Sequence, residues 1–287
     1  MSDCRVVELA GGARLVIRPT TAADRDLLHQ LFDGLSADDR YRRFFSPFNP
    51  PDEFLDRLVT GDDRGAHQLI AVVQRVGQRD DPVGEAGAWP RPNGNAELGI
   101  TVRDDSRGWL GPYLLDAIVD VAAAAGIPNL EAEVLMTNRR MLALLKPRGY
   151  AAIGHDGYSS ARLAISTTGR VPGWAPADER PRLLVEAPAA RWDGEETALA
   201  DGVQVMVCPG PRGRPYDTCP ELGGRACPLV DGTDAIVVHL GDDLDARLST
   251  AHAAQHPGIP VCVHPVGSRV FDVASRATRL AQERHRR

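Results

Sequence analysis

Lysine is almost missing from this chain. Of the 33 basic residues all but Lys146 are arginine, and with so much alanine and glycine this marks a GC-rich coding bias rather than a function. Basic charge is in deficit overall, 33 basic against 39 acidic residues for a net charge of −6, which argues against the basic face of a nucleic-acid binder. No apolar run approaches the roughly 20 residues needed to span a bilayer. Met1-Ser2-Asp3-Cys4 has neither the basic nor the apolar region of a signal peptide, so a cytoplasmic protein is expected. Also missing is any C-x-x-C pair. Cys208, Cys219 and Cys227 fall in one loop region, with His239 and His264 further on, but their separations match no common zinc pattern. A cytoplasmic disulfide is disfavoured by redox poise. No metal is assigned, and free, partly buried thiols are expected. What is present is ordinary for a globular protein of 287 residues, 43% hydrophobic and 25% charged, long enough for two domains.

The chain is organised around Ala96 to Tyr150. Ala96 to Val102 alternates and is rich in strand formers, and Asp104 to Pro112 is a polar, glycine-bearing turn. Leu114, Leu115, Ile118, Val119 and Ala122 form the apolar stripe of a helix that Gly126 and Pro128 stop. Pro112 suits its first turn. A second strand, Leu130 to Met136, leads through Asn138 into a short helix ending at Gly149-Tyr150. A strand that feeds a turn and a helix N-terminus is suited to an anion, because unpaired N–H groups and the helix dipole both point at it.

These pieces resemble the acyl-CoA-binding core of the GNAT superfamily of N-acetyltransferases. The matching parts are Glu97 to Val102, Arg107-Gly108 with Gly111, Val134 to Asn138, and Gly149-Tyr150. Leu110 stands where the family places a middle glycine. The resemblance implies an acetyl-CoA site built from Ile100, Thr101, Val102, Arg107, Gly108, Trp109, Leu110, Gly111, Pro112 and Asn138. Arg107 would meet the pyrophosphate, since a guanidinium fork suits phosphate oxygens, and Asn138 the pantetheine arm. It also makes Glu97 the base that takes a proton from the amine, with strand N–H groups of Leu98 to Val102 polarising the thioester carbonyl. Leu145 occupies the position where many members carry the tyrosine that protonates the leaving thiolate.

The flanking sequence fits a mixed sheet with helices on both faces, over about residues 5 to 167. Val6 to Leu9 and Arg14 to Arg18 read as an opening strand pair, and Thr20 or Thr21 caps a helix carrying Leu27, Leu28, Leu31 and Phe32. Leu35 to Phe45 is similar to the second helix of GNAT domains in bacterial protein lysine acetyltransferases. Tyr41, Phe44 and Phe45 then either shape the acceptor entrance or are core aromatics. Strands follow at Gln68–Val73 and Val83–Trp89, and Ala151–Ile153 with Ala161–Ile165 close the sheet.

Beyond this the composition shifts. The expected plan is a GNAT domain over residues 1–169, a Pro- and Gly-rich linker over 170–181, and a small parallel flavodoxin- or receiver-like α/β domain over 182–287. Four strands (Arg182–Glu186, Val203–Val207, Asp234–Leu240, Ile259–Val263) alternate with helices at Glu195–Ala200, Leu244–Ala254 and Val270–Gln282. The long connection holding Cys219 and Cys227 reads as an ordered, regulatory loop. Two functions are expected to compete: an acetyl-CoA-dependent N-acetyltransferase acting on an amine, protein lysine favoured, and a non-catalytic acyl-CoA sensor or scaffold.

Overall fold

The computed structural model describes residues 4–47, 49–60, 65–156, 159–169, 171–187, 202–208, 210, 219–264 and 270–287. The helix expected at Glu195–Ala200 and most of the connection before Cys219 lie outside the described residues. The chain forms two compact units, 1–132 and 133–287, divided inside the sixth strand.

In the first unit the elements run β1 (Arg5–Glu8), β2 (Arg14–Pro19), α1 (Arg25–Asp33), α2 (Ala37–Phe44), α3 (Asp52–Thr60), β3 (His67–Gln74), β4 (Asp81–Pro90), β5 (Ala96–Val102), α4 (Leu110–Ala124) and the start of β6 (Asn129–Leu135). The strands lie in that order in the sheet, antiparallel until β6 joins β5 in parallel. Strand β3 is buried along nearly its whole length, as its Leu-Ile-Ala-Val-Val run requires of a central strand. Thr21 precedes a short 3-10 turn at Ala22–Asp24, and the helix it was expected to cap begins one turn later with Asp24 as its N-cap residue and no side-chain cap. Asp24 accepts from the Thr21 amide at 2.8 Å just before α1, and Ser36 caps α2 by accepting from the Asp39 amide at 3.2 Å. One face of the sheet is covered by Leu28, Phe32, Leu35, Leu55 and Leu58 from α1, α3 and the turn after α1. On the other face Leu110 and Leu114 of α4 press on Gly84, where an added Cβ would lie 3.0 and 2.9 Å from them.

The second unit holds α5 (Arg139–Leu145), β7 (Tyr150–Asp156), β8 (Ser160–Ser166), β9 (Arg182–Glu186), β10 (Gln204–Cys208), β11 (Ala235–Val238), α6 (Asp242–Gln255), β12 (Val261–Val263) and α7 (Val270–His285). Its strand order is β8-β7-β10-β9-β11-β12. Strands β9 to β12 are mutually parallel, and β10 meets β7 antiparallel at Val207↔Ala152. Compactness therefore does not divide at 170–181, where the linker was expected. One ladder and one apolar cluster cross that stretch: Ala151 and Trp174 pack with Leu184, Met206, Leu229 and Ile236, and the Trp174 Nε1–H donates to the Leu229 carbonyl at 2.8 Å. Cys208, Cys219 and Cys227 are buried in the same cluster.

A charged group lies within this unit. The ring of His252 on α6 is wholly buried, its Nε2 3.0 Å from Glu186 Oε2 at the end of β9 and its Nδ1 3.7 Å from Glu221 Oε2. Half-buried His256 reaches the same Glu221 oxygen at 3.2 Å. Burial pushes the His252 imidazole down, but the Glu186 hydrogen bond and the charges of Glu186 and Glu221 outweigh it and hold the group above its ordinary value.

Candidate active site

The turn after β5 has the geometry an anion needs. Gly108 sits at φ +89°, a conformation that a side chain disfavours. Helix α4 starts at Leu110 with no side-chain cap and no acidic residue in its first turn. Trp109 is its N-cap residue, and Leu110, Gly111 and Pro112 supply that first turn. Leu110, standing at the family's glycine position, is fully buried, with its side chain under Gly84 in the core. Arg107 is engaged from two sides, by Asp39 of α2 and by Asp104 at 2.5 Å. Burial raises the Asp39 carboxyl, but hydrogen bonds from Ser36 and Arg107 outweigh it and keep it below its usual range. A phosphate meeting Arg107 competes with that carboxylate.

Strand β5 leads into this turn. Its parallel ladder with β6 covers two pairs, Ala96↔Leu130 and Glu97↔Glu131. Leu98 to Val102 continue beyond it. Glu97 stands at the last paired position, its side chain about half exposed and bonded to Arg91 Nη2 at 2.8 Å. Ile100 and Val102 are half-buried, and Thr101 is buried with its hydroxyl donated to Glu85 at 2.5 Å.

Glu85 is the feature that sequence reasoning passed over. Its carboxylate is wholly buried at the centre of β4, accepting from Gln68 Nε2 at 2.6 Å, from Thr101 and from Arg43 Nε at 3.3 Å. Arg43, from the last turn of α2, lies over the rings of Phe44 and Trp89 with its guanidinium carbon 5.2 and 5.5 Å from their centroids. The signal was available: a charged residue amid Val83, Gly84, Ala86, Gly87 and Ala88 has to find partners. Of the three aromatic residues on this segment, Phe44 packs with Phe32 and Phe54 in the core, and Tyr41 is exposed. Phe45 ends α2 in the left-handed region at φ 57°.

In the second unit Asn138 caps α5, its Oδ1 accepting from the Met141 amide at 3.2 Å. Leu145 is fully buried. Tyr150 opens β7, and burial pushes its hydroxyl pKa up. A cavity of about 600 Å³ in the first unit is lined by Arg5, Thr20, Leu58, His67 and Asp120, and by none of the acyl-CoA candidates. Among the described residues no group of three or more His, Cys, Asp or Glu could hold a metal ion, and no helix is long and apolar enough to cross a membrane.

The model for the acetyltransferase (GNAT) domain fits residues 14–150. The chain carries a GNAT acetyltransferase domain. An acetyltransferase of Pseudomonas aeruginosa is 27% identical over 150 residues, covering 52% of this chain and 81% of its own. Among solved structures, the GNAT domain of S. lividans PAT is 24% identical over 57% of this chain and 96% of its own, with a TM-score of 0.49. The Vibrio cholerae spermidine N-acetyltransferase, solved with CoA and spermine, is 17% identical over 54% of this chain and 97% of its own, with a TM-score of 0.44. At such scores neither bears on this chain's acceptor. The GNAT domain makes the protein an acetyltransferase that draws on acetyl-CoA and delivers to an amine.

Proposed function

We propose that the acetyl group goes to a primary amine presented on the Glu97 face of β5, with protein lysine the favoured acceptor and the cytoplasm the site of action. The observation that supports this reading most is the strand itself: β5 stays paired with β4 to Val102, but its parallel pairing with β6 stops at Glu97, and the strand then leads to the uncapped start of α4. In this reading Glu97 takes the ammonium proton, directly or through water, so that the neutral amine can attack the thioester carbon. Backbone N–H groups beyond Glu97 meet the developing oxyanion. The loop from Arg107 to Pro112 holds the pyrophosphate, with Asn138 on the pantetheine arm. Leu145 has no proton to give, so water protonates the departing thiolate. Residues 182–287 act as a regulatory or substrate-recruiting part joined through 170–181.

Thiol release from acetyl-CoA, measured against a panel of amines and lysine peptides, tests the proposal. Release that depends on an amine and yields the N-acetyl product is expected. Acetyl-CoA binding without release against every acceptor would leave a non-catalytic acyl-CoA sensor, the reading favoured by buried Leu145 and by the aspartates on Arg107. Calorimetry should also show Arg107→Ala weakening acetyl-CoA by about 1.5–3 kcal/mol, and Asp39→Asn moving affinity the opposite way. Unchanged binding in Arg107→Ala would remove Arg107 from the phosphate site.

A further inference from the structure

We infer that Arg43 is a specificity-determining residue that receives a carboxylate of the acceptor, so the preferred amine carries an acidic group close to it. The inference rests on the amine-acetylating reading above and concerns the same face of β5.

The face is built around two facing glycines. In the β4–β5 ladder Glu85 pairs with Thr101, Gly87 with Gly99 and Trp89 with Glu97, so these six positions line one surface. The glycines leave room at its middle: the guanidinium of Arg43 fills the space over Gly99, and the Trp89 ring with Gln68 Oε1 fills that over Gly87. A Cβ on Gly99 would collide with Arg43 Nη2 and fall 2.9 Å from Nη1.

The way Arg43 is held points to a ligand. A guanidinium serving only to neutralise Glu85 would set two parallel N–H bonds on the carboxylate. Here the contacts to Glu85 and Thr101 run through Nε alone, at 3.3 and 3.2 Å. The Nη fork donates to no described residue, although the side chain is only 16% exposed. Beside it, Gln68 Oε1 is buried without a partner. Phe44 and Trp89 fix the plane of the guanidinium, and Glu85 acts as a positioning residue behind it. Glu97 lies two residues from Gly99 on the same face, about 7 Å along the strand. An acceptor with its amine at Glu97 can therefore lay a carboxylate a few bonds away on the fork. A cationic polyamine offers the fork nothing.

The carboxylate has two sources, the α-carboxylate of a free amino acid or an acidic side chain beside a lysine in a peptide. Two matched pairs of acceptors separate them: lysine against cadaverine, and a blocked tripeptide with Asp beside its lysine against the Asn version. The full chain is expected to favour the carboxylate member of one pair in kcat/KM. That ratio should collapse about 10–100-fold in Arg43→Gln and in Arg43→Lys, which keeps a charge over Glu85 but loses the fork. The parent ratios need no variant, so a poorly folding Arg43→Gln does not protect the idea. Parent ratios near one in both pairs overturn the inference and leave the amine acetyltransferase standing. So does a preference that both variants retain. If none of the four compounds is acetylated, the proposed function falls and takes this inference with it.

Discussion

Glu97→Gln is expected to lower turnover about 10²–10⁴-fold while acetyl-CoA affinity stays nearly unchanged. The amide keeps the shape of the side chain and its contact with Arg91 but cannot accept the proton that leaves the amine. Glu97 ends the β5–β6 ladder, and with its side chain about half exposed it can exchange that proton with water. Steady-state rates from pH 6 to 9, with binding followed by calorimetry, check the point. A variant as fast as the parent across that range would make Glu97 a strand residue and nothing more.

His252→Leu should cost about 3–5 kcal/mol of stability, because it strands Glu186 in the interior and leaves Glu221 only His256 as a partner ring. The parent should show the matching pH dependence. Since the folded-state pKa of His252 lies above its unfolded value, its contribution is complete below about pH 6.5 and is lost as pH rises through the folded pKa. His256 on the same helix and the two glutamates from β9 and the turn at Glu221 are the charged groups that face it. Urea midpoints from pH 5 to 9 in both proteins measure this. A variant with the parent's stability and slope would mean the ring is a neutral spacer.

The first unit was legible wherever a periodic pattern met a local stop signal. The extent of β5, the turn at Gly108 and the stripe of α4 follow from residue spacing. What escaped notice depended on tertiary pairing. Strand β4 is legible between its flanking turns, but the partners of Glu85 come from β3, β5 and α2, elements separated in sequence and joined only by register. The Leu110 substitution reads differently in three dimensions, since its side chain turns into the core below Gly84 and away from the turn. The stretch 170–181 has a linker's composition, yet Trp174 inside it is buried and hydrogen-bonded. Proline and glycine content reports backbone freedom and is blind to one anchoring side chain.

The antiparallel step between β7 and β10 constrains how such a chain could be shortened or recombined. Without β10, strand β7 would offer its backbone N–H and C=O groups at an open edge, a template for another chain. A relative whose polypeptide stops soon after β8 must blunt that edge with a charge, a proline or a second subunit. In this protein β10 lies along that edge, so a cut at residue 169 should uncover it and yield a sticky fragment.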